Sequence, residues 1–277
     1  MATLEDFDWR RWRLVITGCV IIGTILAAAI LAQVITPYSP YDLDVTMMLQ
    51  GPSPAHWLGT DELGRDTLSR TIYAARISME VAFIAAGVGL LFGTLIGGVA
   101  AYFGGWVDLV LMRLMELLFS FPAILLAVVL MASLGTSIFN AMIAIGIVFI
   151  PGFSRLARAA TEVVLREQYV EAARAIGMSH ARILLREILP NILAPLLVEA
   201  AVAFSYAILL ESALSFLGLG AQPPEPSWGN MLNTGRGFMS QAPWLSIVPG
   251  MAIFLCVLGF NFIGDGLRDV LDPHLKD

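Results

Sequence analysis

Residues 81–103 read VAFIAAGVGLLFGTLIGGVAAYF, an unbroken stretch with no charged side chain. As an α-helix rising about 1.5 Å per residue it spans about 34 Å, enough to cross a hydrocarbon core of roughly 30 Å. Similar runs lie at Leu14–Ile35, Leu109–Ala132, Ile138–Phe153, Ile192–Leu210 and Leu245–Ile263. The first exceeds the roughly 7–15 apolar residues of a signal peptide, so it reads as a retained span. The fourth is expected to continue as helix through Pro151 toward Leu165, because neighbouring helices can satisfy a carbonyl that proline frees. The pattern predicts an all-α membrane protein of about six transmembrane helices. Composition agrees: 58% of residues are hydrophobic, mean hydropathy is +0.79, and only 14% are charged, against about 25% for a soluble domain. Cys19 and Cys256 both fall inside apolar runs, which suits small fillers better than a disulfide.

The net charge of −6 hides an asymmetry that decides orientation. With the N-terminus inside, twelve basic residues lie on or near the cytoplasmic side: Arg10, Arg11, Arg13, Arg113, Arg155, Arg158, Arg166, Arg174, Arg182, Arg186, Arg268 and Lys276. Four lie outside: Arg65, Arg70, Arg76 and Arg236. Positive charge inside is the rule for short loops. This predicts cytoplasmic termini at 1–13 and 264–277 around one membrane domain, 14–263. Within that domain, 36–78 and 217–243 are external and 154–191 is cytoplasmic. The register of Leu68, Ile72 and Ala75 predicts a short amphipathic helix over 67–76, lying on the outer surface. Gly59 and Gly64 suit tight turns before it. Trp57, Trp228 and Trp244 are expected at the outer interface.

The cytoplasmic segment carries the most information. From Glu167 to Ile176 it holds good helix formers, Gly177 ends that helix, Ser179 is a candidate N-cap for a second, and Pro190-Asn191 marks entry to the fifth span. The small residues Ala172, Ala173 and Ala175 would let a partner surface come close, which is the shape of a docking element. Glu171-Ala172-Ala173, then Gly177, then Leu189-Pro190 resembles the EAA loop of ABC importer permeases, although Glu187 stands where that pattern often has an aliphatic residue. The resemblance implies a type I ABC importer-like transmembrane domain in a bacterial or archaeal cytoplasmic membrane, with the loop seated on an ATPase subunit. The chain's only lysine is Lys276, so the lysine that a P-loop uses on phosphates is missing. The expectation is therefore a non-enzyme that binds no cofactor, with ATP and Mg held by partner ATPase subunits.

Two external stretches narrow the resemblance: His56-Trp57-Leu58-Gly59-Thr60-Asp61-Glu62-Leu63-Gly64-Arg65-Asp66, and Ser215 to Gly220 followed by Pro223 to Met231, which includes Trp228-Gly229. With Leu271 to Lys276, they are similar to the C-type permeases of dipeptide, oligopeptide and nickel uptake systems. The implied partners are a second homologous permease, two ATPase subunits and an extracytoplasmic binding protein, in a lipid bilayer and with no nucleic acid. The implied substrate is a dipeptide or oligopeptide, with nickel chelates, glutathione and haem as alternatives. The external stretches either meet the binding protein or simply pack the outer mouth.

Ionisable residues inside apolar runs are expensive and usually face a bundle interior or a water-filled path. Glu199 reads either as a conduit residue or as a buried structural partner. Arg113 and Glu116, three apart, can pair along one helix face. Glu211 is expected at the interface, and Asn261 as an interhelical hydrogen-bond partner. His56, Asp61 and Asp66 have metal-ligand chemistry, but their spacing fits no closed site and Asp61 can equally pair with Arg65. An intramembrane protease would need a histidine within a span, whereas His56, His180 and His274 all lie outside the apolar runs. A secondary transporter would have no use for a docking loop.

Overall fold

The computed structural model describes residues 9–271, with side chains from Trp12 onward. The side chains of Arg10 and Arg11 and the motif residues Asp272 to Lys276 lie outside the described residues. In chain order the helices are α1 (Trp9–Ile30), α2 (Ala32–Ile35), α3 (Thr67–Phe103), α4 (Gly105–Phe119), α5 (Ala123–Leu134), α6 (Ile138–Val164), α7 (Gln168–Ala175), α8 (His180–Arg182), α9 (Leu189–Phe216), α10 (Trp228–Gly235) and α11 (Trp244–Leu271). A π-helical turn, Ile183–Ile188, joins α8 to α9, making one rod from His180 to Phe216. Among the described residues, five helices are long and apolar enough to cross a membrane, and α4 and α5, bent against each other, meet the same criterion when taken together.

The expected span Leu109–Ala132 is therefore not one straight helix. Its halves meet at 92°. Pro122 has no amide hydrogen to donate, sits at φ −55° and ψ 130°, and disfavours helix at the residue before it. The pair still traverses the bundle. Asp108, near the start of α4, binds Arg158 at one end of α6. Asn140, at the other end of α6, donates to the carbonyls of Leu134 and Gly135 at the close of α5. Eighteen residues of α6 separate those anchors, about 27 Å of helix.

The expected surface helix over 67–76 is also absent as a separate element. Those residues are the first turns of α3, whose 37 residues make a rod of about 55 Å, well beyond the bilayer core. Asp66 caps it through the Ser69 amide, and no glycine or proline follows until Gly87. Polar side chains at 69, 70, 76, 78 and 80 conceal the continuity from hydropathy. The projecting end is not left in water: Thr67, Ser69 and Arg70 are buried. Residues 36–66 and the segment around α10 wrap it into a cap. The other spans follow expectation, and α6 runs unbroken through Pro151.

Helices α3 and α6 form the central pair, α9 packs across both, and α1 lies along α11. The α3–α6 seam consists of Gly89, Gly93 and Gly97 facing Phe149, Phe153 and Ser154, the small-residue spacing that lets helices in lipid approach closely. The cap stands at one end of the bundle. The opposite, basic end carries α7 together with Arg158, Arg166, Arg174, Arg182 and Arg186.

Candidate functional site

At the basic end, α7 and the start of the long rod form a hairpin. Its hinge is Gly177 at φ +78°, a left-handed conformation open to glycine at little cost. The Met178 amide donates to the Ala173 carbonyl and the Gly177 amide to the Arg174 carbonyl, a pair of bonds that closes a helix C-terminus. Ser179 has extended backbone, as an N-cap does, but makes no side-chain cap. The second helix does not stop before the span, as the separate-helix expectation had it. The π turn shifts the ladder so that the Leu189 amide reaches the Leu184 carbonyl, which absorbs Pro190 without a break, and Asn191 Nδ2 donates to the Glu187 carbonyl.

The two faces of α7 differ. Val170 and Ala173 are buried, against the π turn, so Ala173 supports the hairpin and offers nothing to a partner. Glu171, Ala172, Arg174 and Ala175 are exposed, and Ile176 is 78% exposed. An isolated apolar side chain so placed, beside a carboxylate and two alanines, is a small outward-facing platform. The hairpin is tied to α3: Tyr102 Oη and His180 Nδ1 are 2.8 Å apart, and the Arg174 guanidinium lies 5.3 Å over the Tyr102 ring. Sequence reading gave no sign of this tie, because Tyr102 and His180 sit in different elements.

Midway along the bundle the α4–α5 elbow, α6 and α9 enclose a cleft of about 390 Å³. Phe119, Phe121, Phe149, Phe153 and Tyr206 supply aromatic walls, and Glu199 is its one carboxylate. Glu199 is half-buried, and its carboxylate makes no hydrogen bond or ion pair with another described residue. Among the described residues it therefore has no polar partner. Arg113 and Glu116 pair at 3.0 Å but are well exposed, and they line a neighbouring cleft with Asp108, Arg155 and Arg158.

Glu211 corrects an expectation. It is 2% exposed, not interfacial. Its carboxylate accepts from Ser215 at 2.7 Å and from Ser78 at 3.2 Å, joining α9 to α3. Asn261 is exposed and makes no interhelical hydrogen bond with a described residue. Ser212 and Ser215, one and four residues after Glu211, were the available signal that hydroxyls satisfy this acid.

In the cap, Arg65 Nε binds Asp61 Oδ2 at 2.7 Å and Arg65 also reaches Glu62. Arg70 Nε approaches the same Asp61 oxygen at 3.4 Å. Burial, with help from Asp61, pushes the Glu62 carboxyl above the usual carboxylate range. Asp66 binds His56 Nδ1 at 2.9 Å while capping α3. Those protein contacts occupy the groups weighed as metal ligands, and among the described residues no cluster of three or more acidic, His or Cys side chains could hold a metal. Gly59 and Gly64 take positive φ, as turn glycines do. Trp57 is 70% exposed, but Trp228 is 1% exposed and donates to the Thr71 carbonyl, so it is core and not interface. Gly229 is buried beside it. Tyr41 donates to Glu225, which joins the two external stretches, and Trp244 at the start of α11 donates to the Thr60 carbonyl.

Comparisons with known proteins agree with this picture. The family model for binding-protein-dependent transport system inner membrane components matches residues 89–277. The N-terminal TM domain of oligopeptide transport permease C matches residues 8–52. The dipeptide transport system permease protein DppC of Alkalihalophilus pseudofirmus is 47% identical over 264 residues, 95% of this chain and 87% of that protein. Glutathione transport system permease proteins GsiD of Pectobacterium atrosepticum and Escherichia coli are 43% and 44% identical over 272 residues, in each case 97% of this chain and 90% of the relative.

Proposed function

The chain belongs to the family of binding-protein-dependent transport system inner membrane components and is a multi-pass inner membrane permease of an ABC importer; we propose that its substrate is a small peptide, moved by the action of partner ATPases on α7. The observation that carries the coupling role is the hairpin. It presents Glu171, Ala172 and Ile176 to a partner while Tyr102, His180 and Arg174 join its base to α3. Closing two ATPase subunits on ATP and Mg would push α7, and α3 and the continuous rod would carry that displacement into the spans. The chain binds no nucleotide itself. The pathway runs between this subunit and a second, homologous permease, with Glu199 on its wall. The cap meets the binding protein that delivers substrate. The dipeptide and glutathione relatives support a substrate class of short peptides.

The basic end is cytoplasmic in this reading. Cysteine placed at Ser53 is expected to react with an impermeant thiol reagent added outside intact cells, and cysteine at Ser179 only after the membrane is opened. The reverse pattern would place the hairpin where no ATPase can reach it.

Inside-out questions of sidedness aside, transport itself has a direct test. Proteoliposomes holding the complete complex, with ATP enclosed and binding protein added outside, are expected to accumulate labelled dipeptide or glutathione in an ATP-dependent manner. Uptake that persists without ATP would contradict the coupling role. ATP-dependent uptake of a nickel chelate or haem alone would replace the substrate class and leave the permease role standing.

A further inference from the structure

The cleft beside Glu199 has a second charge at its edge. Arg155 lies on α6 with its guanidinium carbon 3.6 Å from the centroid of the Phe119 ring, one of the cleft walls. Apart from that stacking, it makes no hydrogen bond or ion pair with another described residue. The other charges nearby are spoken for: Arg113 binds Glu116, and Arg158 binds Asp108 and Glu162. Two opposite charges are thus left without partners among the described residues: Glu199 inside this cleft, and Arg155, exposed on the wall of the neighbouring cleft and stacked on Phe119 of this one.

Their positions correspond. Val148, Gly152 and Arg155 follow one another along one face of α6, at four- and three-residue steps. Glu199, Val202 and Tyr206 do the same on α9. Phe149 and Tyr206 meet with ring centroids 6.1 Å apart, which sets the two helices at a common depth. From there, Arg155 lies six residues toward the basic end, about 9 Å, and Glu199 seven residues toward it, about 10 Å. The acid and the base therefore stand at similar depth on different walls, and no ion pair joins them.

We infer that Glu199 and Arg155 form a subsite for a small zwitterion, with Glu199 taking the α-ammonium and Arg155 the terminal carboxylate of a short peptide. The aromatic walls accept side chains without reading them in detail, which suits a carrier of varied sequences. An unpaired carboxylate in apolar surroundings is costly when empty and strongly favoured once a cation reaches it. The inference rests on the peptide reading above and specifies which peptide groups are recognised.

The test is a protection assay on the complete complex in membranes, without binding protein, in which Cys19 is replaced by serine and Val202→Cys reports access to the cleft. Millimolar dialanine is expected to slow labelling of that cysteine. N-acetylated dialanine amide at equal concentration is expected to protect about ten-fold less, the equivalent of ~1.4 kcal/mol in binding. Glu199→Gln should abolish the preference for a free amine, and Arg155→Gln the preference for a free carboxylate, with subunits still co-purifying. Equal protection by free and capped peptides, or no protection in a complex that imports dialanine, would overturn the subsite. Loss of the second permease from either variant would also overturn it, by assigning these charges to the subunit interface. The capped-peptide comparison is made on unsubstituted Glu199 and Arg155, so it does not depend on either variant folding. A complex that imports no peptide at all removes the substrate reading, and the subsite with it.

Discussion

Gly97→Val is expected to leave almost no assembled protein in the membrane, while Gly98→Ala one position along is expected to be tolerated. A Cβ at Gly97 would lie 2.1 Å from the Ser154 carbonyl oxygen and 2.8 Å from the Arg158 amide nitrogen. Both are backbone atoms of α6 and cannot rotate away. The two central helices would have to separate, and close backbone approach is what holds helices together in lipid. Overpacking a core already costs about 1–3 kcal/mol where side chains can adjust; here the seam itself must open. At Gly98 the nearest atom to a new Cβ is Thr161 Oγ1 at 4.0 Å. Replacing a helix-interior glycine with alanine there gains up to about 1 kcal/mol of helix propensity. Fluorescence size-exclusion profiles of the two variants, made in parallel, check the contrast. Equal profiles would mean that α3 and α6 are not packed this closely.

The second large effect is on coupling. Gly177→Val is expected to insert and assemble normally yet lose about ten-fold or more of ATP-dependent uptake, the result of displacing a docking equilibrium by ~1.4 kcal/mol. The reason is the backbone and not crowding. A Cβ at Gly177 meets nothing within 4 Å, but φ is +78°, which costs an ordinary residue about 1–2 kcal/mol and a β-branched residue more. The hairpin would relieve the strain by changing the angle at which α7 projects. Gly177→Asn, which tolerates left-handed backbone, should restore most of the activity. Glu171→Lys should lose uptake by a different route, reversing the charge on the exposed platform with its fold unchanged. Normal uptake in both Gly177→Val and Glu171→Lys would separate the hairpin from coupling.

Much of this was legible from sequence because lipid makes hydropathy a nearly sufficient signal for spans. The helix α7 and its glycine stop were equally readable, since the signals are local. Three things were not. Pro122 splits an apolar run without making it less apolar, so the elbow that builds the cleft is invisible to a hydropathy window. The outer turns of α3 look like a surface helix because Arg70, Ser69 and Ser78 are polar, and only the cap that buries them shows why they are there. Glu199 and Glu211 stand in similar apolar surroundings twelve residues apart. Glu211 is enclosed by serines and Glu199 faces a cleft, a difference that depends on what the neighbouring helices bring to each. The Gly89, Gly93, Gly97 spacing was present in the sequence and is the signal that would have paired α3 with a partner helix.

We propose that α7 is where this permease receives the work of ATP hydrolysis. The most direct measurement is disulfide crosslinking in the assembled complex, with Cys19 replaced by serine and Ala172→Cys on the exposed face of α7. Single cysteines are placed in turn across the surfaces of the ATPase subunit and of the binding protein. Crosslinks from Ala172→Cys to a compact patch on the ATPase subunit, altered when ATP is bound, are expected, with none to the binding protein. Crosslinks to the binding protein, with none to any site on the ATPase subunit, would contradict it.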